Sequence, residues 1–194
     1  MMAMRFPAMA AALLALPLGA ASQPIDEISP EGLWTRFLQT CSTVLTDPDA
    51  YLAGLPSPGP SGERVISVSP DRNVVSVFHR IGNAYDEVEL YRVGNHQIRD
   101  CAVIGEYYDM ETGGPQMETA VLAQGLTEIA ASVEGVTLTG GHAPQDYSEE
   151  NTFYTVDEIY LFAIDGLWPE KGEIAVVHVI GGELQFMVQF VVTP

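Results

Sequence analysis

Positive charge is scarce in this chain of 194 residues: Lys171 is the only lysine, and Lys plus Arg total 8 against 26 Asp plus Glu. Phosphate recognition needs clustered cations, so a nucleic-acid partner is not expected, and an anionic membrane surface would repel a formal charge of −18. Cysteine is nearly absent too, with only Cys41 and Cys101. The usual catalytic signatures are missing: no G-x-S-x-G elbow, no H-E-x-x-H, no phosphate loop and no dinucleotide glycine pattern. No apolar run long enough to span a bilayer follows the N-terminal segment.

What is present reads as a globular domain behind an export signal. Apolar residues make up 47 % of the chain, too many for an acidic disordered tail, and the length suits a single core. Met1–Arg5 carries one positive charge, Phe6–Leu18 is almost wholly apolar, and Gly19-Ala20-Ala21-Ser22 offers small residues for cleavage. That order predicts a cleaved signal over residues 1–22 and a periplasmic or secreted product, the single α+β domain of residues 23–194. There is no twin arginine and no cysteine at the cleavage point, so neither prefolded export nor a lipid anchor is expected. Losing Arg5 with the signal takes the charge from −18 to −19, which favours a soluble monomer and biases encounter toward cationic partners.

An exported chain meets an oxidising compartment, and two cysteines point to one bridge, Cys41–Cys101. The spacing does not suit a C-x-x-C redox pair. Cys41 lies in an inward stripe formed by Leu33, Trp34, Phe37, Leu38, Val44 and Leu45, at helical steps after Ser29-Pro30-Glu31. A short second helix is expected at Asp49–Leu55, then a Pro/Gly/Ser connector at 56–62. Four strands follow over 64–69, 73–80, 85–93 and 96–108, separated by Pro70-Asp71, Gly82-Asn83 and Gly94-Asn95.

A helix is expected from Pro115 to Val133, with Met117, Ala120, Val121, Ile129 and Val133 inward. Then come strands over 136–139, 152–164, 173–180 and 184–192, with a polar loop at 140–150. The run Ile174–Ile180 is apolar on both parities and reads as a central strand covered on both faces. The fold class is therefore α+β: an antiparallel sheet of seven to eight strands in two meanders, with two main helices packed on it. Either one continuous sheet or two adjacent helix–β4 halves fits the pattern.

Candidate functional residues are few. Of the four histidines, His178 reads as core, His79 as a strand end and His96 as a hairpin turn; only His142 lies in a glycine-rich stretch near a carboxylate, Asp146. No metal set and no cofactor are expected from them. Two segments combine tyrosine with acid, and their Tyr107, Tyr108, Asp109, Asp146, Tyr147, Glu149 and Glu150 are candidate recognition loops. Calcium would require a ligand spacing that neither segment has. The leading expectation is an exported, non-catalytic module that binds a protein or peptide partner. The alternatives are a small hydrolase using His142 and Asp146, and a small-molecule carrier.

Overall fold

The computed structural model describes residues 28–55, 64–69, 74–107, 119–143, 159–168, 174–180 and 182–193. The expected signal at 1–22, the connector at 56–62 and most of the two acidic tyrosine segments lie outside these described residues. Helix α1 (Pro30–Thr46) begins as its sequence dictates: the Ser29 hydroxyl accepts the Gly32 N–H at 3.2 Å, Pro30 fills the first turn, and Glu31 sits at the positive end. It buries Leu33, Trp34, Phe37, Cys41, Val44 and Leu45. Asp47 closes α1 with its backbone N–H on the Thr43 carbonyl and opens α2 (Pro48–Gly54) by accepting the Ala50 N–H on its side chain.

Eight strands follow: β1 (Arg64–Ser69), β2 (Val74–Ile81), β3 (Ala84–Val93), β4 (His96–Glu106), β5 (Thr137–Ala143), β6 (Ile159–Asp165), β7 (Ile174–Ile180) and β8 (Glu183–Val192), with α3 (Thr119–Ala130) between β4 and β5. They form one antiparallel sheet in the order β1-β2-β3-β4-β8-β7-β6-β5. Each four-strand meander is preceded by a helix, and the halves join along β4 and β8, so the continuous-sheet alternative is the one adopted. Glycines at 82 and 94, both with φ of 61°, turn the two tight hairpins of the first meander.

The helices lie on one face. The register sets Val77, Val88, Cys101, Val188 and Ala175 in one inward row, and His79, Asp86, Val103, Phe186, Val177 and Phe162 in the next. α1 crosses the β4–β8 junction, where Phe37 stacks on Phe186 at 5.4 Å between ring centres and Trp34 meets Phe186 at 5.2 Å. Trp168 closes the side of this cluster against Phe37 and Phe190. The Arg99 guanidinium donates to the Val44 and Leu45 carbonyls, satisfying the C-terminal end of α1. At its other end, Asn83 bonds both the N–H and the carbonyl of Ile28, and the Tyr107 hydroxyl donates to the same carbonyl at 3.0 Å.

Three expectations need correction. Among the described residues β7 is covered on one face: Ala175, Val177 and Val179 are buried, whereas Val176, His178 and Ile180 are only partly so. Its second apolar parity faces the open side of the sheet, partly shielded by neighbouring strands. In α3 the buried stripe is Leu122, Ala123, Leu126 and Ala130, and Val121 is 52 % exposed. Val121 shares its exposed side with Gln124 and Glu128, and the inward stripe lies on the other side of the helix. Finally, β5 runs on through Gly140 and Gly141 where a loop was expected. Gly140 has φ of 129°, and a Cβ there would lie 2.5 Å from the Leu161 carbonyl, so glycine carries the strand past its neighbour.

The expected bridge is present: Cys41 and Cys101 are joined, with Cα atoms 5.6 Å apart and both residues buried. It links α1 to the strand at the centre of the sheet. Constraining residues 60 apart in sequence removes unfolded-state entropy worth about 4 kcal/mol. A Cys41→Ala/Cys101→Ala variant is expected to lose stability of that order in urea denaturation; a loss below about 1 kcal/mol would show that packing alone holds α1 in place.

Candidate functional site

Charged side chains gather in two places, one on each face of the sheet. Under α1, Asp86 is only 2 % exposed. It shares an inward parity with Ala84 and Val88, so alternation along β3 forces this carboxylate inside. Arg36, on the flank of α1, meets it with a two-pronged contact, Nε to Oδ1 at 2.7 Å and Nη2 to Oδ2 at 2.6 Å. His79 on β2 completes the cluster, its Nδ1 3.6 Å from Oδ2. Burial pushes the Asp86 carboxyl above its ordinary value, and the Arg36 fork and His79 pull it back. A carboxylate, a histidine and an arginine could serve acid–base chemistry, yet these close on one another under the helix. None of the three lines the four open clefts described at the surface. The cluster is a clamp between α1 and the first meander.

The opposite face has no helix on it among the described residues. Its middle row runs Phe78, Glu87, Ala102, Met187, Val176, Ala163 and Thr139 across seven strands. The adjacent row runs Ser67, Ser76, Glu89, Asp100 and Gln189. Where the rows meet, Ala102 leaves a hollow of about 420 Å³, walled by Glu87, Glu89, Asp100 and Gln189 and floored by Val176 and Met187. Ser76 donates to Glu89 at 3.0 Å and Gln189 to Asp100 at 2.8 Å, which orients two of these carboxylates. Farther along the face, Glu106 pairs with Arg80 at 2.5 Å and stands opposite Glu183 in the register.

The field of these acids is visible in their neighbours. The Tyr85 phenol is pushed up to about 12 by partial burial and then by Glu183, Glu87 and Glu106. The Glu87 carboxyl is raised by partial burial and by Glu89. Tyr91 is raised by desolvation and by its hydrogen bond to Asp100. An acidic wall beside an apolar floor suits a ligand group with a cationic head and an aliphatic stem, as lysine and arginine side chains have.

The residues singled out from sequence fare unevenly. Tyr107 is turned inward, 3 % exposed, and serves as a brace for Ile28 rather than as contact area. Tyr108, Asp109, Asp146, Tyr147, Glu149 and Glu150 lie outside the described residues. His142 stands opposite Tyr160 on β5, and its side chain is likewise outside the description. The interface expected of a carrier is filled, among the described residues, by the rings of Trp34, Phe37, Phe186, Phe190 and Trp168. His178 is half-buried on the open face, between Leu161 and Gln185. No group of three or more metal-ligating side chains occurs among the described residues, and no described helix is long and apolar enough to cross a membrane. No protein-family model, curated protein or solved structure matches this chain.

Two outcomes follow from these placements. Asp86→Ala leaves the largely buried Arg36 without its partner and is expected to cost about 3 kcal/mol in chemical denaturation; under about 1 kcal/mol would mean that solvent already screens the pair. Partial burial lowers the proton affinity of His178, so the unfolded chain binds that proton more readily than the folded one. Stability from this source is full above the ordinary histidine value of 6.5 and falls as pH drops through it toward the lowered one. His178→Gln is expected to shrink the fall in melting temperature between about pH 7.5 and 5.5, and an unchanged fall would remove His178 from the acid response.

Proposed function

We propose that this protein is an exported, non-catalytic binding module that takes a cationic protein or peptide partner on its open sheet face. The observation that carries the reading is the hollow at Ala102, where Glu87, Glu89 and Asp100 stand over the apolar floor of Met187 and Val176. A partner's arginine or lysine head would meet the carboxylates while its stem lies on the thioether and the valine. Supporting it further, the strands beneath are braced from the other side by α1 and the Cys41–Cys101 bridge, so the face is preorganised. The N-terminal sequence supports periplasmic or secreted placement, where such a bridge persists.

The test is a titration of short arginine- and lysine-rich peptides against the full-length protein, followed by calorimetry. Binding should weaken steeply as salt rises from about 50 to 500 mM, because the contacts are exposed charges. The triple variant Glu87→Gln/Glu89→Gln/Asp100→Asn should lose about tenfold or more in affinity, whereas Glu31→Gln on the opposite side should not. Equal affinity in the triple variant and the wild type would sink the assignment of this face.

A further inference from the structure

On the helix side of the sheet, beyond the C-terminal end of α1, a hollow of about 400 Å³ opens between α2 and strands β2 to β4. Val75 and Leu90, opposed in the register, form its floor, and Pro48 of α2 adds an apolar side. At one end Arg92 stands opposite Gln97, and Arg99, opposite Leu90, lies one inward pair farther along. These positions share the parity of Val88 and Cys101, so the hollow belongs to the face that carries the helices and not to the acidic one. The Arg99 guanidinium is fixed: it donates to the Val44 and Leu45 carbonyls and, through Nη2, to Gln97 Oε1 at 3.0 Å. That bond occupies the Gln97 oxygen and leaves its amide N–H groups to donate beside Arg92. Asp49 lines the α2 wall.

Charges of both signs thus line one hollow without meeting. Neither Asp49 nor Arg92 makes an ion pair among the described residues, although the chain has 26 Asp plus Glu to compete for 8 Lys plus Arg. The two are set on separate elements, Asp49 on a helix capped by Asp47 and Arg92 on the β3–β4 ladder. We propose that this hollow binds the zwitterion of a small apolar α-amino acid. Its carboxylate would accept from the Arg92 guanidinium and the Gln97 amide, in the field of Arg99. Its ammonium would donate to Asp49, and its side chain would lie on Val75, Leu90 and Pro48. The volume falls within the range of small-molecule sites. Selectivity comes from repulsion as well as attraction: a bare amine meets two guanidinium groups, and a bare carboxylate meets Asp49. The site is separate from the acidic hollow at Ala102 and does not rest on the reading of that face.

The test is a calorimetric titration of the full-length protein at pH 7 with L-leucine, with leucinamide, which lacks the carboxylate, and with N-acetyl-leucine, which lacks the ammonium. Leucine should bind saturably, and each analogue about tenfold or more weakly, the worth of one hydrogen bond to a charged group. Arg92→Gln should lose about tenfold for leucine and leave leucinamide unchanged; Asp49→Asn should lose about as much for leucine and leave N-acetyl-leucine unchanged. Both side chains are exposed, so both variants should fold, and the analogues test the proposal on the wild type in any case. Glu87→Gln/Glu89→Gln/Asp100→Asn, on the other face, should bind leucine as the wild type does, so the two sites stand or fail separately. No saturable binding up to about 10 mM leucine, equal binding of all three compounds, or affinity for leucine indifferent to both Arg92→Gln and Asp49→Asn would each overturn the proposal.

Discussion

Helix α1 lying across the junction of β4 and β8 is the contact on which the rest of the structure depends. Among the described residues the strands of the two meanders pair along that ladder, from Gln97 opposite Val192 to Glu106 opposite Glu183. One helix spans it. Phe37 and Trp34 stack on Phe186 from β8, and Cys41 is bonded to Cys101 on β4, so α1 grips both strands of the junction by different means. Aromatic stacking is short-ranged and contributes about 1 kcal/mol per pair beyond burial. The bridge acts instead on the unfolded chain, so it does not weaken when packing loosens. α3 covers the second meander and touches α1, extending a cover that α1 anchors.

Covering one face only divides the charged residues by parity. On the inside a carboxylate must be met in full, and Asp86 is met by both prongs of Arg36 and by His79. On the outside Glu87 and Glu89, on the other parity of β3, keep contact with solvent and need no such ionic partner. One residue along the strand separates a carboxyl that binds the helix from carboxylates that remain available to a partner. The scarcity of lysine and arginine is therefore felt on the open face, where Arg80 on Glu106 is the ion pair found among the described residues, while the buried acid receives its arginine.

Much of this architecture was legible beforehand. Ser29-Pro30-Glu31, the stripe from Leu33 to Leu45 and the Gly-Asn turns each have a local physical cause, and tertiary contacts did not override it. Cys41 and Cys101 pointed to their bridge because they are the two cysteines of a chain read as exported, and the structure joins them. α3 was misread at Val121: its exposed neighbours one and two turns away, Gln124 and Glu128, mark that side as the outer one, and the inward stripe runs through Leu122, Ala123, Leu126 and Ala130. The double apolar parity of β7 misled because lateral shielding within a wide sheet mimics a second covering layer. The clamp at Asp86 was readable yet missed. Its parity with Ala84 and Val88 implied a buried acid, which would have prompted a search of α1 for Arg36. The hollow at Ala102 was not readable, because it depends on the register that sets Ala102 beside Met187 across β4 and β8.

That register also explains how so acidic a chain can keep a charged surface without weakening its own brace. Repulsion among Glu87, Glu89 and Asp100 raises the energy of the folded state by an amount that salt or a cationic ligand reduces. The disulfide and the ring cluster on the other side of the same strands respond to neither. On β4 the proposed contact face and the brace are one residue apart: Asp100 and Ala102 line the hollow, and Cys101 forms the bridge. Neutralising the outer face therefore relieves repulsion without touching the contacts that hold α1. Binding at that face need not be coupled to a change of fold, because the groups that would sense the partner and the groups that fix the helix share a strand but not a side.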